Sequence, residues 1–265
     1  MFEMGGPQDK QTPYGGRRGY PYPSWKRNAF AMWRDKGFVA FMRRVRLMLM
    51  LRLHYALWDS RFERFETVPT IGLLLKKDLS PDVASNLGQA SEYAPSPRLV
   101  VQWLVDGLQE DLSRFTFLDF GSGRGRVLLA AAERPFKAVR GIEFSGQLHE
   151  EAALNISNYP ADRLVCADVQ SVCEDALEYV LPEGDCILYF YNPFGVELMD
   201  KVVRRAMDIS QARNSRCIVI YYNSIHHQTL GSQTRLKPKP LSFLARLKLR
   251  LFSPYPIRVY EMVGG

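Results

Sequence analysis

Cysteine is scarce in this 265-residue chain, and the cysteines that occur form no Cys-x-x-Cys pair and no cluster with histidine. The four lie in the second half of the sequence: Cys166, Cys173, Cys186 and Cys217. Structural zinc sites need grouped cysteine or histidine ligands, and small secreted folds need disulfide frameworks, so both classes are disfavoured. We expect reduced thiols, a cytoplasmic location and no metal site.

Long uncharged apolar runs are also missing. The first ten residues lack the apolar segment that a signal peptide needs. Residues 30–58 are rich in Phe, Met, Leu and Trp, but Arg43, Arg44, Arg46 and Arg52 interrupt them. A spanning helix needs about 20 largely uncharged residues, so none is predicted here. Two interpretations stay open, of which we favour the second: a helix on an anionic membrane surface, or a helix packed on the main domain or a second subunit.

Charge is unevenly distributed along the chain. Residues 1–66 and 231–265 carry net charges of +7 and +6, whereas residues 67–230 carry −6. The basic ends predict contact with an anionic partner or surface, or else serve only to solubilise the chain. Residues 1–28 mix Gly, Pro, Tyr and Arg without apolar periodicity, which predicts a disordered tail. We therefore divide the chain into this tail, an N-terminal helical extension (29–90) and a main domain (91–265).

In the main domain, apolar runs typical of buried strands alternate with helical patterns. Strands are predicted at 115–120, 137–144, 163–168, 186–192, 216–223 and 257–263, and helices at 98–112, 126–134, 146–159, 171–180 and 196–209. Strands that are apolar throughout and separated by helices indicate a parallel sheet covered on both faces. The predicted fold class is α/β, a doubly wound and mostly parallel sheet.

The most informative segment follows the first predicted strand and reads DFGSGRG, residues 119–125. Its three glycines permit a tight turn and let a ligand approach the backbone closely. The carboxyl end of the first strand is where doubly wound sheets bind nucleotides. Dinucleotide enzymes use Gly-x-Gly-x-x-Gly to place a pyrophosphate there. An acid such as Asp119 would repel a pyrophosphate, and it suits a cationic ligand instead.

Two more acids follow predicted strands. Glu143 ends the second strand, where its carboxylate can accept hydrogen bonds from both hydroxyls of a ribose. Phe144 beside it offers an apolar surface to a purine, and Asp168, at the end of the third predicted strand, can accept a hydrogen bond from an exocyclic amine. Because the carboxyl ends of parallel strands meet at one edge of a sheet, we expect Asp119, Glu143 and Asp168 to reach the same crevice.

Four segments in order, DFGSGRG, GIEF, CAD and YNPF, resemble the motifs of class I S-adenosylmethionine-dependent methyltransferases over about residues 91–223. The resemblance implies a seven-stranded Rossmann-like sheet, S-adenosyl-L-methionine as cofactor, and methyl transfer. It further implies that Asp119 assists the amino group of the cofactor, Glu143 binds ribose and Asp168 reads adenine. The implied cofactor loop consists of Gly121, Ser122, Gly123 and Gly125. In this resemblance, Gly121 and Gly123 border the methionine part of the cofactor. Residues 91–96 are similar to a Tyr-x-Pro element that helps cover the cofactor in seven-stranded protein lysine methyltransferases.

The acceptor end is assigned through the same resemblance. Amino-methylating members of the superfamily carry (Asp/Asn)-Pro-Pro-aromatic after the fourth strand, and this chain has one proline there, in Asn192-Pro193-Phe194. Tyr191, Asn192, Pro193 and Phe194 are the catalytic candidates, with Asn192 also at the cofactor. The implied acceptor is a protein lysine or another macromolecular or small amine. Two other functions stay open: an inactive cofactor-binding scaffold whose basic ends bind an anionic partner, and a nucleotide-dependent oxidoreductase.

Overall fold

The computed structural model describes residues 29–54, 56–57, 70, 96–192, 195–224 and 235–262. The predicted tail (1–28), most of the segment 55–95, and Pro193 and Phe194 lie outside these ranges.

A seven-stranded sheet forms the centre of the described chain. Its strands are β1 (Phe115–Phe120), β2 (Ala138–Glu143), β3 (Val169–Cys173), β4 (Asp185–Phe190), β5 (Cys217–Tyr222), β6 (Leu236–Pro238) and β7 (Ile257–Met262). Their spatial order is β3-β2-β1-β4-β5-β7-β6. The first five strands pair in parallel, and β7 runs antiparallel to both β5 and β6. The prediction of a mostly parallel, seven-stranded sheet is confirmed.

The described residues contain six α-helices. They are α1 (Ala29–His54), α2 (Arg98–Gly107), α3 (Arg126–Ala132), α4 (Gly146–Ser157), α5 (Val196–Ala212) and α6 (Phe243–Phe252). Ser145 caps the N-terminus of α4, because its Oγ accepts a hydrogen bond from the Leu148 amide at 3.4 Å. The sequence did not predict β6 or α6.

The core lies on both faces of the sheet, and consecutive residues of β1 belong to opposite faces. Phe117 shares one buried cluster with Leu104 of α2 and Leu128 of α3. Leu118 shares the other cluster with Val203 of α5. This two-sided burial explains why the strands read as continuous apolar runs, and it confirms the doubly wound arrangement.

The third strand differs from the prediction. β3 begins at Val169, so the prediction of a strand at 163–168 and of a helix at 171–180 is wrong. Asp168 precedes β3 instead of ending it, and its carbonyl accepts a hydrogen bond from the Val139 amide at 2.8 Å. The physical reason is that β3 is an edge strand of the sheet and only half-buried. An edge strand does not need a continuous apolar run, so the apolar segment before it was chosen instead.

The long helix α1 contacts the C-terminal part of the chain. His54 Nε2 lies 2.8 Å from the carbonyl oxygen of Phe252, the last residue of α6. Met48 and Leu51 are buried on the same helix. Packing on the main domain therefore accounts for one side of α1. In the part of the chain that the structure describes, no helix is long and apolar enough to cross a bilayer.

Candidate functional site

The glycine-rich loop turns immediately after β1. The amide of Gly121 donates to the Ile142 carbonyl at 2.8 Å, which ties the start of the loop to β2. Gly121, Gly123 and Gly125 have φ values of 77°, 53° and 80°, in the region that side-chain-bearing residues rarely adopt. Glycine is therefore required at all three positions by the path of the backbone. The strand order reverses between β1 and β4, so the loop lies at the position where doubly wound sheets open a crevice.

Glu143 fastens the loop to the beginning of α4. Its Oε2 accepts a hydrogen bond from the Gly123 amide at 2.8 Å, and its Oε1 accepts one from the Ser145 amide at 3.0 Å. The side chain is only 3% exposed. Burial raises the pKa of this carboxyl, and the backbone hydrogen bonds partly oppose that rise. Glu143, which the sequence predicts to bind ribose, thus also organises the loop.

Asp119, on β1, is a second buried acid and is also 3% exposed. Burial and the nearby charge of Glu143 hold the pKa of Asp119 well above its ordinary value. Two buried carboxyls of this kind are costly to ionise together in a folded protein. A cationic group beside them would remove much of that cost. The pair therefore suits a positively charged ligand, as the acid before the loop predicts.

Arg124, within the loop, is turned towards α4 rather than towards the acidic pair. Its Nε donates to Glu151 Oε2 at 2.5 Å, and both side chains are 7% exposed. The Asn155 side chain also donates to the Arg124 carbonyl at 2.9 Å. These contacts fix the C-terminal part of the loop on α4.

Ser122 packs over the backbone of β2. A Cβ placed on Gly141 would lie 2.6 Å from Ser122 Oγ, so the glycine of the GIEF segment is required for this packing. The hydroxyl is buried and has no hydrogen-bond partner among the described residues. A direct role of Ser122 at a cofactor stays a prediction.

Asp168 does not reach this site. It lies at the opposite end of β3, its carboxylate is 48% exposed, and Arg140 Nη2 donates to it at 2.6 Å. That ion pair lowers the pKa of Asp168. The assignment of Asp168 to adenine rested on its ending the third strand, and the structure removes that basis.

The residues at the carboxyl end of β3 are Cys173, Glu174 and Asp175. Cys173 is the register partner of Glu143, and its Sγ lies 4.0 Å from the Phe144 carbonyl. The Glu174 amide donates to the Glu143 carbonyl at 3.1 Å. Asp175 Oδ1 accepts from the Leu177 amide at 2.8 Å. Glu174 and Asp175 are therefore the acids that follow β3 at the end where Glu143 ends β2, and Asp168 is not.

The predicted acceptor end follows β4. Asn192 has a φ of 44°, which is unusual for a residue other than glycine, and its Oδ1 accepts a hydrogen bond from Tyr221 at 2.7 Å. Strained backbone of this kind is frequent at functional sites. The Tyr191 ring lies 4.8 Å from that of Tyr222 and 5.7 Å from that of Tyr255, measured between centroids. Sequence reasoning missed Tyr221 and Tyr255, since neither belongs to a motif.

The segment predicted to cover the cofactor ends beside this site. Ser96 is buried, and its Oγ lies 3.0 Å from the hydroxyl of Tyr189. Tyr189 is the register partner of Asp119 across β1 and β4. Residues 91–95 lie outside the described ranges.

The described residues fit S-adenosyl-L-methionine in two respects. The buried acids Asp119 and Glu143 match a cofactor that carries a sulfonium and an ammonium group, and the positive φ values of the glycines leave the loop backbone open to close approach. Among the described residues, no group of three His, Cys, Asp or Glu side chains could hold a metal ion.

No family model and no curated protein matches the chain. Among solved structures, it is similar to magnesium protoporphyrin IX methyltransferase from Synechocystis PCC 6803 with bound S-adenosylmethionine (16% identity, TM-score 0.40), covering 63% of this chain and 76% of that one. It is also similar to an RNA methyltransferase from Salinibacter ruber in complex with S-adenosyl-L-homocysteine (18%, 0.40), covering 64% and 92%. A third likeness is to a predicted N6-adenine-specific DNA methylase from Listeria monocytogenes (13%, 0.45), covering 69% and 53%. At this identity and TM-score, these likenesses identify neither an activity nor an acceptor for this chain.

Proposed function

We propose that this chain is an S-adenosyl-L-methionine-dependent methyltransferase that transfers a methyl group to an amine, such as a protein lysine. The observation that carries the proposal is the buried pair of Asp119 and Glu143 at a glycine loop on the switch point of the sheet. The motif resemblance supports the same cofactor. The single proline in Asn192-Pro193-Phe194 leaves the exact acceptor open.

In this proposal, each of four residues of the chain has a role that its geometry supports. Glu143 holds the Gly123 amide and so keeps the loop in the shape that admits the cofactor. Asp119 supplies negative charge for the cationic part of the ligand. When bound, S-adenosyl-L-methionine supplies a methyl group activated by the positive sulfur. Tyr221 orients Asn192, which can accept a hydrogen bond from the acceptor nitrogen.

Positioning carries most of the chemistry in such a reaction. Holding the acceptor nitrogen in line with the methyl group at near-attack distance lowers the barrier by about 7–11 kcal/mol in well-oriented systems. A lysine acceptor must first lose its ammonium proton, to solvent or to a base. The aromatic cluster of Tyr191, Tyr222 and Tyr255 beside Asn192 would exclude water from this part of the site.

Calorimetric titration of the full chain tests the cofactor assignment. We expect S-adenosyl-L-methionine and S-adenosyl-L-homocysteine to bind and NAD not to bind. Glu143→Gln should weaken binding about 10- to 150-fold, the equivalent of losing a charged hydrogen-bond partner. The matched control is Glu150→Gln, an exposed position on α4, which should bind normally. Binding of NAD in place of the methyl donor would favour the oxidoreductase and contradict the proposal.

Methyl transfer is then measured with methyl-labelled cofactor in a lysate of the source organism, followed by fractionation of the labelled material. Label in a protein fraction that survives as methyl-lysine after acid hydrolysis would support a lysine acceptor. Tight cofactor binding without any labelled product would instead favour the inactive scaffold. Label confined to nucleic acid would contradict the amine proposal in its protein form.

A further inference from the structure

Helix α6 carries a stripe of large apolar side chains on its exposed side. Phe243, Leu244, Leu247 and Leu251 are 74%, 58%, 42% and 52% exposed. Successive residues of a helix are about 100° apart, so these four lie within about 100° of one another around the axis. The stripe is therefore continuous along the ten-residue helix.

The stripe is not the side by which α6 packs on the domain. Ala245 and Leu249 are the buried residues of α6, and at about 100° per residue they lie roughly opposite the stripe. Ala245 sits so close to Gly107 of α2 that a Cβ on that glycine would lie 2.5 Å away. One side of α6 is thus packed on the domain, and the apolar stripe on its other side is not needed for that packing.

Cations flank the stripe on both sides. Arg246 and Arg250 lie along one side and Lys248 along the other, and α6 contains no Asp or Glu. This order of apolar stripe, cationic flanks and packed back is typical of helices that lie in the plane of a membrane interface. Long Arg and Lys side chains reach outward to headgroups while their stems cover apolar surface.

Helix α1 repeats the same pattern. Phe38, Met42 and Leu49 are 62%, 45% and 55% exposed, and they lie on one side of the helix. After the kink at Gly37, whose φ is 81°, the helix contains four arginines and no acid: Arg43, Arg44, Arg46 and Arg52. Met48 and Leu51 are buried towards the other side. A second exposed apolar stripe is therefore present on a second helix.

The two helices are joined to each other. Arg46 Nη2 donates to the Arg250 carbonyl at 3.0 Å. Between them lies an open groove of about 950 Å³, lined by Arg43, Arg46, Arg246 and Arg250 among apolar residues such as Leu47. The groove brings the cations of both helices together, where phosphate groups can reach them. We name the seven residues of the two exposed stripes the α1/α6 face: Phe38, Met42, Leu49, Phe243, Leu244, Leu247 and Leu251.

We propose that the α1/α6 face binds the surface of a membrane that contains anionic phospholipids, with the apolar stripes in the interfacial region and the arginines at the phosphates. The charge argues against a second copy as the occupant. A two-fold interface repeats the same patch on both subunits, so it would bring arginines against arginines. An anionic lipid surface instead complements the arginines of α1 after Gly37 and all the charges of α6. The protein would lie on the bilayer and not cross it.

Vesicle co-sedimentation of the full chain tests this proposal. The probes are vesicles of phosphatidylcholine alone and vesicles in which about one third of the lipid is phosphatidylglycerol. We expect binding to the anionic vesicles, weakened by raised salt, and little binding to the neutral ones. Leu247→Glu with Leu251→Glu should lower the partition coefficient at least about 100-fold, because two apolar anchors are lost and two charges added. Arg246→Gln with Lys248→Gln should lower it about tenfold or more.

The matched control replaces two apolar residues that are equally exposed elsewhere, Leu154→Glu with Val180→Glu, which should leave binding unchanged. Apart from Lys248, which is half-buried with its Nζ 6.0 Å from the centre of the Trp103 ring, the substituted residues are exposed. Circular dichroism and the melting temperature of the variants with exposed substitutions should match those of the parent chain. If the full chain does not bind anionic vesicles, the proposal is overturned. A stable dimer that dissociates when Leu247→Glu and Leu251→Glu are introduced would also overturn the proposal, because the face would then be an interface between copies of the chain. Cofactor titration does not depend on vesicle binding. A chain that binds the cofactor but not the vesicles would therefore contradict the membrane proposal and leave the proposed function standing.

Discussion

Replacing Asp119 by asparagine should raise the stability of the cofactor-free protein while weakening cofactor binding. The side chain is 3% exposed, and burial together with the charge of Glu143 holds its pKa well above 3.8. Asparagine has nearly the same shape and no charge. The substitution therefore removes both the desolvation cost and the repulsion between the two acids.

The expected gain in the free energy of unfolding is about 1–2 kcal/mol, the usual size of a favourable single substitution. For a chain of this size, each kcal/mol corresponds to a shift of about 2–4 °C in melting temperature, which gives about 2–8 °C. Cofactor binding should move the other way. Loss of a charge-assisted partner costs about 1.5–3 kcal/mol, or about 10- to 150-fold in dissociation constant.

The pH dependence provides an independent check on Asp119. Its pKa is raised on folding, so between the unfolded and the folded pKa the folded protein binds more protons than the unfolded chain. Stability from this group is therefore present at low pH and lost as the pH rises through that window. The difference in melting temperature between Asp119→Asn and the parent should be small near pH 4 and grow towards neutral pH.

Scanning calorimetry of both proteins without cofactor, at several pH values, measures the first effect, and isothermal titration measures the second. S-adenosyl-L-homocysteine lacks the sulfonium charge but keeps the ammonium group, so equal losses for both ligands would place Asp119 at the ammonium. Asp208→Asn, at a 66% exposed carboxylate, is the control and should change neither quantity. A variant that melts at or below the parent temperature at neutral pH would refute the reasoning.

Three further substitutions test the loop, the third strand and the loop's anchor on α4. Gly123→Val should abolish cofactor binding, since Gly123 has a φ of 53° and a branched side chain would both strain the loop and occupy ligand space. Asp175→Asn, which keeps the acceptor for the Leu177 amide, should weaken binding about tenfold by titration, whereas Asp168→Asn should not. Glu151→Ala should lower the free energy of unfolding by about 3–5 kcal/mol in urea denaturation, because it removes the carboxylate that faces the buried Arg124 guanidinium.

Each of these substitutions has a counterpart in the chain. Gly146→Val is the control for the loop, because a Cβ there meets nothing within 4 Å. Glu150→Ala on the exposed side of α4 is the control for Glu151. Normal affinity in a folded Gly123→Val protein would remove the loop from the site. Loss of affinity in Asp168→Asn but not in Asp175→Asn would restore the original assignment of Asp168.

The sequence predicted the part of the site that strong local signals specify. β1 is mostly apolar because helices cover both faces of the sheet at this strand, and the loop needs glycine where φ is positive. Both requirements are visible in the residues themselves. β3 lies at the edge of the sheet, where the pattern is weaker, and the apolar segment before it competed successfully. Because this one short strand was placed wrongly, Asp168 was predicted at the carboxyl end of the strand, whereas it lies at the opposite end.

Other features depend on contacts between distant parts of the chain and leave no local signal. The hydrogen bond between Tyr221 and Asn192 joins residues 29 positions apart, and no sequence motif or residue spacing predicts it. The raised pKa of Asp119 depends on how completely the fold buries this side chain beside Glu143, and the sequence pattern does not give that degree of burial. Helix α6 was missed because its exposed leucines break the rule that an apolar residue faces the core.

Glu143 builds the site, and under the proposed function the same side chain also serves a ligand. An ionised carboxylate has about four acceptor positions on its two oxygens. The amides of Gly123 and Ser145 each use one, on different oxygens, so the carboxylate keeps acceptor capacity beyond these two bonds. Under the proposed function, this capacity would serve the hydroxyls of a ribose without disturbing the loop. Glutamine has a single acceptor oxygen, so it can keep only one of the two backbone bonds. Its effect on binding therefore includes a loosened loop as well as a lost ligand contact.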